Sequence, residues 1–112
     1  MFDGTQRAGV SPERIKDIVE ALKAYEPEKV ILFGSSARGD ADQYSDIDLV
    51  VIKRTDKRFV ERLVEAARYL DLPVSVDLFV YTPEEFEVMA ENANPFIERV
   101  RSEGRIIYER SS

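Results

Sequence analysis

The sequence predicts an α/β or α+β domain built on a small sheet. Three observations carry that expectation. Short apolar runs at residues 30–33, 46–52 and 74–81 have strand length and β-branched character. The segments between and around them place apolar residues at helical spacing. Cap and breaker residues stand where the two patterns change over, so strands and helices alternate along the chain.

The elements follow in order. Ser11-Pro12-Glu13 is a helix start, with a hydroxyl N-cap and proline at the first helical position. Ile15, Ile18, Val19 and Leu22 then carry a helix to about Tyr25, where Glu26-Pro27 stops it. Val30 to Phe33 reads as a buried strand, residues 36–45 as a loop with one helical turn, and Asp46 to Ile52 as the second strand. Thr55 or Asp56 is expected to cap a second helix with Val60, Leu63, Val64, Ala67 and Leu70 on its core face, broken at Leu72-Pro73. Val74 to Tyr81 is the third strand. Thr82-Pro83-Glu84-Glu85 is a capping box that opens another helix. Asn94-Pro95 opens the last helix, which ends near Gly104, and Arg105 to Glu109 is a short final strand. Phe86, Phe96 and Tyr108 are expected to pack the core.

Composition narrows the chemistry. A chain of 112 residues with 44% hydrophobic content is expected to form one domain, residues 10–112, behind a loose polar tail at residues 1–9 that lacks the apolar core of a signal peptide. It has no run of 18 apolar residues, which disfavours a membrane span. Cysteine and histidine are both absent, which excludes disulfides, thiolate nucleophiles, zinc sites built on sulfur or imidazole, and a histidine base. Any metal must be held by oxygen, which points to Mg²⁺ or Mn²⁺. The formal net charge of −6, with no dense basic run, disfavours RNA or DNA as the main substrate and suits a basic protein partner.

The densest chemical signal is residues 30–52. The first apolar run ends at Gly34-Ser35; ten residues later come Asp46 and Asp48, and a second apolar run follows at once. Glycine lets a ligand approach the main chain, Ser35 adds a hydroxyl, and a helical turn starting near Ser36 would aim free N–H groups at the same spot. Strand alternation puts Asp46 and Asp48 on one face, where two carboxylates repel unless a cation lies between them. Each part alone has a plain explanation, as a turn or as solvated acids. Together they are a set for holding a nucleoside triphosphate and its metal ions. Asp77, the only acid of the third strand, completes it. Arg38, in the loop between, can reach a phosphate as a forked donor. Lys53 and Arg54 read as solubilising charges at a strand end, and Tyr44 as an exposed loop residue.

The run from Gly34 to Ala41, followed by Ser45-Asp46-Ile47-Asp48-Leu49, resembles the minimal nucleotidyltransferases of the polymerase β nucleotidyltransferase superfamily over about residues 30–80. The resemblance implies a small mixed sheet with helices packed mainly on one side. It implies that Gly34 and Ser35 form the triphosphate-binding turn, that Asp46, Asp48 and Asp77 are catalytic and hold two Mg²⁺ ions, and that the second and third strands are neighbours. It further implies an antitoxin that transfers AMP from ATP to a tyrosine hydroxyl of a HEPN-domain toxin partner; the chain is expected in the cytoplasm, with a homo- or hetero-oligomer left open.

Length bears on the acceptor. The core takes up most of the chain, so the acceptor pocket is expected to be completed by another chain. Two other functions compete: an antitoxin that sequesters its partner by contact around a vestigial nucleotide site, and a nucleotidyltransferase for a small molecule such as an antibiotic.

Overall fold

A computed structural model describes residues 12–33, 47–70 and 76–110. The first helix, α1 (Pro12–Lys23), buries Ile18 and Leu22 completely, while Ile15 and Val19 are half-buried. Its expected cap, Ser11, lies outside the described residues, as do the tail at residues 1–9 and the loop at residues 36–45. After α1, Glu26 takes φ of 63°, a left-handed turn that redirects the chain into strand β1 (Lys29–Phe33). Strand β2 spans Ile47–Ile52.

Helix α2 (Phe59–Tyr69) departs from expectation at its start and on its buried face. Thr55 does not cap it. The Thr55 hydroxyl instead accepts from the Lys57 N–H at 3.1 Å, a local turn, and the helix begins after Arg58, whose N–H donates to the Glu61 carboxylate at 3.0 Å. Val60 and Val64 are exposed (68% and 52%), whereas Arg62 and Ala66 are buried, with Leu63 and Leu70 half-buried beside them. The rotation has a physical cause. The Arg62 guanidinium finds acceptors inside: the Lys57 carbonyl at 2.7 Å, the Val80 carbonyl at 3.2 Å, and both Glu85 oxygens at 2.7 and 3.1 Å. A buried charge is tolerable when it is paired and hydrogen-bonded on every side, and the helix turns to allow it.

Strand β3 (Val76–Tyr81) leads into α3 (Pro83–Glu91) through the expected capping box. The Glu85 N–H donates to the Thr82 hydroxyl at 3.1 Å, and the Thr82 N–H donates to the Glu85 carboxylate at 2.9 Å. Helix α4 (Pro95–Glu103) is capped by Asn94, which accepts from the N–H groups of Phe96 and Ile97. Gly104 then lets the chain pass closely under α4 into β4 (Arg105–Glu109), since a Cβ there would come within 2.2 Å of the Val100 carbonyl oxygen and 2.7 Å of Ile31.

The four strands form one mixed sheet in the order β3-β2-β1-β4. β1 pairs antiparallel with both β2 and β4, while β2 and β3 run parallel, joined by a connection that contains α2. One face carries the larger core: Val30, Leu32, Ile47, Leu49, Val51 and Val80 against Ile18, Leu22 and Ala66 of α1 and α2. A second, smaller layer covers the opposite face, where Ile31, Phe33, Val50 and Ile52 pack against Val100, with Phe86 and Phe96 of α3 and α4. Tyr108 packs on the larger core. Each fully buried Leu, Ile or Val contributes roughly 1.5–3 kcal/mol, so the sheet is held from both sides.

The Arg62–Glu85 pair ties α2, the end of β3 and α3 together, and it is titratable. The Arg62 guanidinium and then the Thr82 N–H hold the Glu85 carboxyl below its usual range, against desolvation that pushes it up. A carboxylate depressed in the folded state adds stability above its unfolded value, near 4.3, and that stability is lost as pH falls toward the lower folded value. Glu85→Gln should therefore cost about 1 kcal/mol at pH 7, and the difference from wild type should shrink below about pH 4. Urea melts across that range measure it. Parallel stability curves for the two proteins would show that the pair is not the titrating contact.

Candidate active site

Strand alternation on β2 sends Ile47, Leu49 and Val51 into the larger core and leaves Asp48, Val50 and Ile52 on the other face. On β1, Phe33 stands directly opposite Asp48. On β3, Asp77 stands directly opposite Asp48 in the parallel register, with Val50 facing Phe79 and Ile52 facing Tyr81. Asp48 is half-buried and Asp77 is exposed. Two of the three acids singled out in the sequence thus occupy one row, on one face, on adjacent strands about 4.8 Å apart. Asp77 sits on an edge strand, as an ordinary solvent-facing acid would, but its cross-strand neighbour is another carboxylate.

Gly34, Ser35, Arg38 and Asp46 lie outside the described residues, as does Tyr44. Gly34 directly follows the last residue of β1, and Asp46 directly precedes the first residue of β2.

An aromatic cluster borders the acids on the same face. Phe33, opposite Asp48, meets Phe96 edge-on at 5.3 Å between ring centroids, and Phe79, two residues beyond Asp77, meets Phe96 at 5.0 Å. These rings form an apolar wall beside the carboxylates and hold the N-terminus of α4 over the sheet. Phe86 and Phe96 pack as the sequence led us to expect. Phe79 could have been found from its place in the strand alternation, two residues beyond Asp77, whereas Phe33 is brought beside Asp48 only by the pairing of β1 with β2.

Lys53 and Arg54 follow the opposite end of β2 and take no part in the acidic row. The Lys53 ammonium donates to the Tyr25 carbonyl at 2.5 Å and lies 4.4 Å from the centre of that ring. Arg54 pairs with Glu84, and with Glu28 at 3.5 Å. A cleft of about 630 Å³ also opens at that far end, floored by Ile52 and Phe86 and rimmed by Glu28, Lys29, Arg101 and Arg110. None of the acids singled out in the sequence lines it, so its size does not make it the active site. Arg62 is the functional support that sequence reasoning missed. The available signal was an arginine between Phe59, Leu63 and Ala66, with a glutamate in a capping box to receive it.

Residues 13–108 match the family described as nucleotidyltransferase domain. Among related proteins, the chain is 35% identical over 97 residues to the Methanocaldococcus jannaschii protein named "Putative protein adenylyltransferase MJ0604", covering 84% of this chain and 94% of that one. It is 34% identical over 82 residues to the Haemophilus influenzae protein named "Probable protein adenylyltransferase MntA", covering 69% of this chain and 72% of that one. Among solved structures, a chain in a crystal structure of a toxin-antitoxin MntA-HpeT mutant superposes with a TM-score of 0.58 at 25% identity, covering 86% of this chain and 72% of that one. With its mixed sheet, its paired strand acids and a match over nearly its whole length, the chain belongs to the nucleotidyltransferase domain family.

Proposed function

We propose that this enzyme transfers AMP from ATP to a tyrosine hydroxyl of a HEPN-type toxin partner and so acts as an antitoxin in the cytoplasm. The observation that carries the reading is the in-register pairing of Asp48 with Asp77 on adjacent strands, at the end of the sheet where β1 ends and β2 begins. The relatives named as protein adenylyltransferases supply the acceptor class, and the toxin-antitoxin structure supplies the kind of partner.

The chemistry runs as a direct displacement. The acceptor hydroxyl oxygen forms a bond to the α-phosphorus of ATP, and the bond from that phosphorus to the bridging oxygen breaks. Pyrophosphate leaves with the electron pair, and the hydroxyl proton passes to the Asp77 carboxylate. Gly34 and Ser35 hold the β- and γ-phosphates through backbone N–H groups and a hydroxyl, and Arg38 reaches a phosphate from the loop. The site is made of carboxylates in a chain without histidine or cysteine, a donor set that fits Mg²⁺ or Mn²⁺. Asp46, Asp48 and Asp77 would hold two such ions, which when bound would neutralise triphosphate charge and acidify the acceptor hydroxyl. No covalent enzyme intermediate is required, so orientation and electrostatics carry the rate.

Asp77→Asn separates structure from chemistry. Like charges opposite each other across strands cost up to about 1 kcal/mol, so without metal the variant should melt no lower than wild type. Mg²⁺ with ATP should raise the melting temperature of wild type and raise that of the variant less. A variant that melts well below wild type in chelator would mark Asp77 as structural.

Transfer itself is read by intact mass spectrometry of the HEPN-type partner. With ATP and Mg²⁺, the partner should gain whole AMP units, and Asp48→Asn should abolish the gain. A partner that binds and loses toxicity with no change in mass would replace the transferase with a sequestering antitoxin.

A further inference from the structure

The sheet has two edges, and they are built differently. β4 is guarded: charged residues, Arg105 and Glu109, stand at its two ends, and its pairing with β1 is broken by a bulge between Val30 and Ile31 that leaves Ile107 as the extra residue. These are the devices by which natural sheets discourage strand addition. β3 has none of them. Its six residues, Val-Asp-Leu-Phe-Val-Tyr, pair with β2 in unbroken register, contain no proline or lysine, and carry one charge, Asp77.

The outward-facing groups of β3 can be assigned. The Lys53 N–H donates to the Tyr81 carbonyl at 2.9 Å, so Tyr81 points its backbone groups at β2. Alternation then turns those of Phe79 and Asp77 toward β2, and those of Val76, Leu78 and Val80 away from it. Arg62 covers the Val80 carbonyl at 3.2 Å. Among the described residues, nothing pairs with the outward N–H and C=O of Leu78. Among the described residues the edge is therefore covered at the Val80 carbonyl and open beside Asp77.

We infer that the open half of the β3 edge is the docking strand for the acceptor polypeptide, an extended segment that hydrogen-bonds to Leu78 and sets its hydroxyl-bearing residue next to Asp77. The inference rests on the protein-acceptor reading above and adds how that acceptor is held. A strand in register beside β3 lies about 4.8 Å away and presents its residue opposite Asp77 on the same face as Asp48 and Asp77, with its Cβ about 5 Å from that of Asp77. Main-chain bonds give affinity without demanding a particular sequence, and the face rule alone delivers the hydroxyl to the acids. A segment slipped by one residue would point that hydroxyl at the opposite face.

The Leu78 backbone makes the test clean. Its N–H takes no part in the β2 ladder, so proline there removes the docking donor while sparing the sheet. Leu78→Ala removes the same side-chain packing and keeps the N–H. With the HEPN-type partner, ATP and Mg²⁺, Leu78→Pro should transfer at least about tenfold more slowly than Leu78→Ala, while the two variants show the same shift in melting temperature with ATP. In wild type, saturation with the partner should slow hydrogen exchange of the Leu78 amide at least about tenfold, a measurement that decides the matter even if the proline variant fails to fold. Transfer by wild type with unchanged exchange at Leu78 and equal rates in the two variants would overturn the docking strand and leave the transferase standing. Protection at Leu78 with no change in partner mass would do the reverse. Neither protection nor transfer would remove both.

Discussion

Everything in the proposed site depends on the parallel register between β2 and β3. Side-chain direction in a strand has a period of two, so the register that sets Asp48 opposite Asp77 is the same one that buries Leu49 and Val51 of β2 and Val80 of β3. A slip of one residue would push Asp77 toward the apolar core and expose Val80. The hydrophobic pattern therefore enforces the position of the acids. Burial of the neighbours supplies the energy that holds two like charges side by side.

An edge strand has a sheet partner on one side only, so its register needs help from outside the ladder. Here that help is Arg62. From α2 it reaches the Val80 carbonyl and the Glu85 carboxylate, and Glu85 in turn caps α3 through the Thr82 N–H. The end of β3 away from the acids is pinned on three elements, and among the described residues nothing covers the end near the acids. The molecule thus combines a fixed register with an accessible edge, the two properties that a shared carboxylate site with a protein acceptor requires. The aromatic contacts of Phe96 with Phe33 and Phe79 play the matching role from the other face.

Much of this was legible in the sequence, for identifiable reasons. The capping box of α3 and the Asn-Pro start of α4 are local signals, and both are present as single hydrogen bonds. The strands were legible because their apolar runs are short and bounded. The burial of α2 was not. Two stripes share Leu63 and Leu70, and apolar counting favoured the one with Val60 and Val64. The structure buries the one with Arg62, because that guanidinium's partners come from residues far along the chain. The pairing of Asp48 with Asp77 came from family resemblance, since no periodicity reveals which strands are neighbours. The relation between the two sheet edges was likewise invisible before topology was known.

The proposed metal-nucleotide site lies at the Asp48 end of the sheet and not in the cleft at the other end. Paramagnetic broadening of backbone amide resonances by Mn²⁺, added with a non-hydrolysable ATP analogue, tests that placement directly. Strong broadening is expected at Asp48, Leu49, Asp77 and Leu78, with little at Ile52, Lys53 and Glu109. Broadening centred on Glu28, Lys29 and Glu109, with Asp48 and Asp77 untouched, would contradict it.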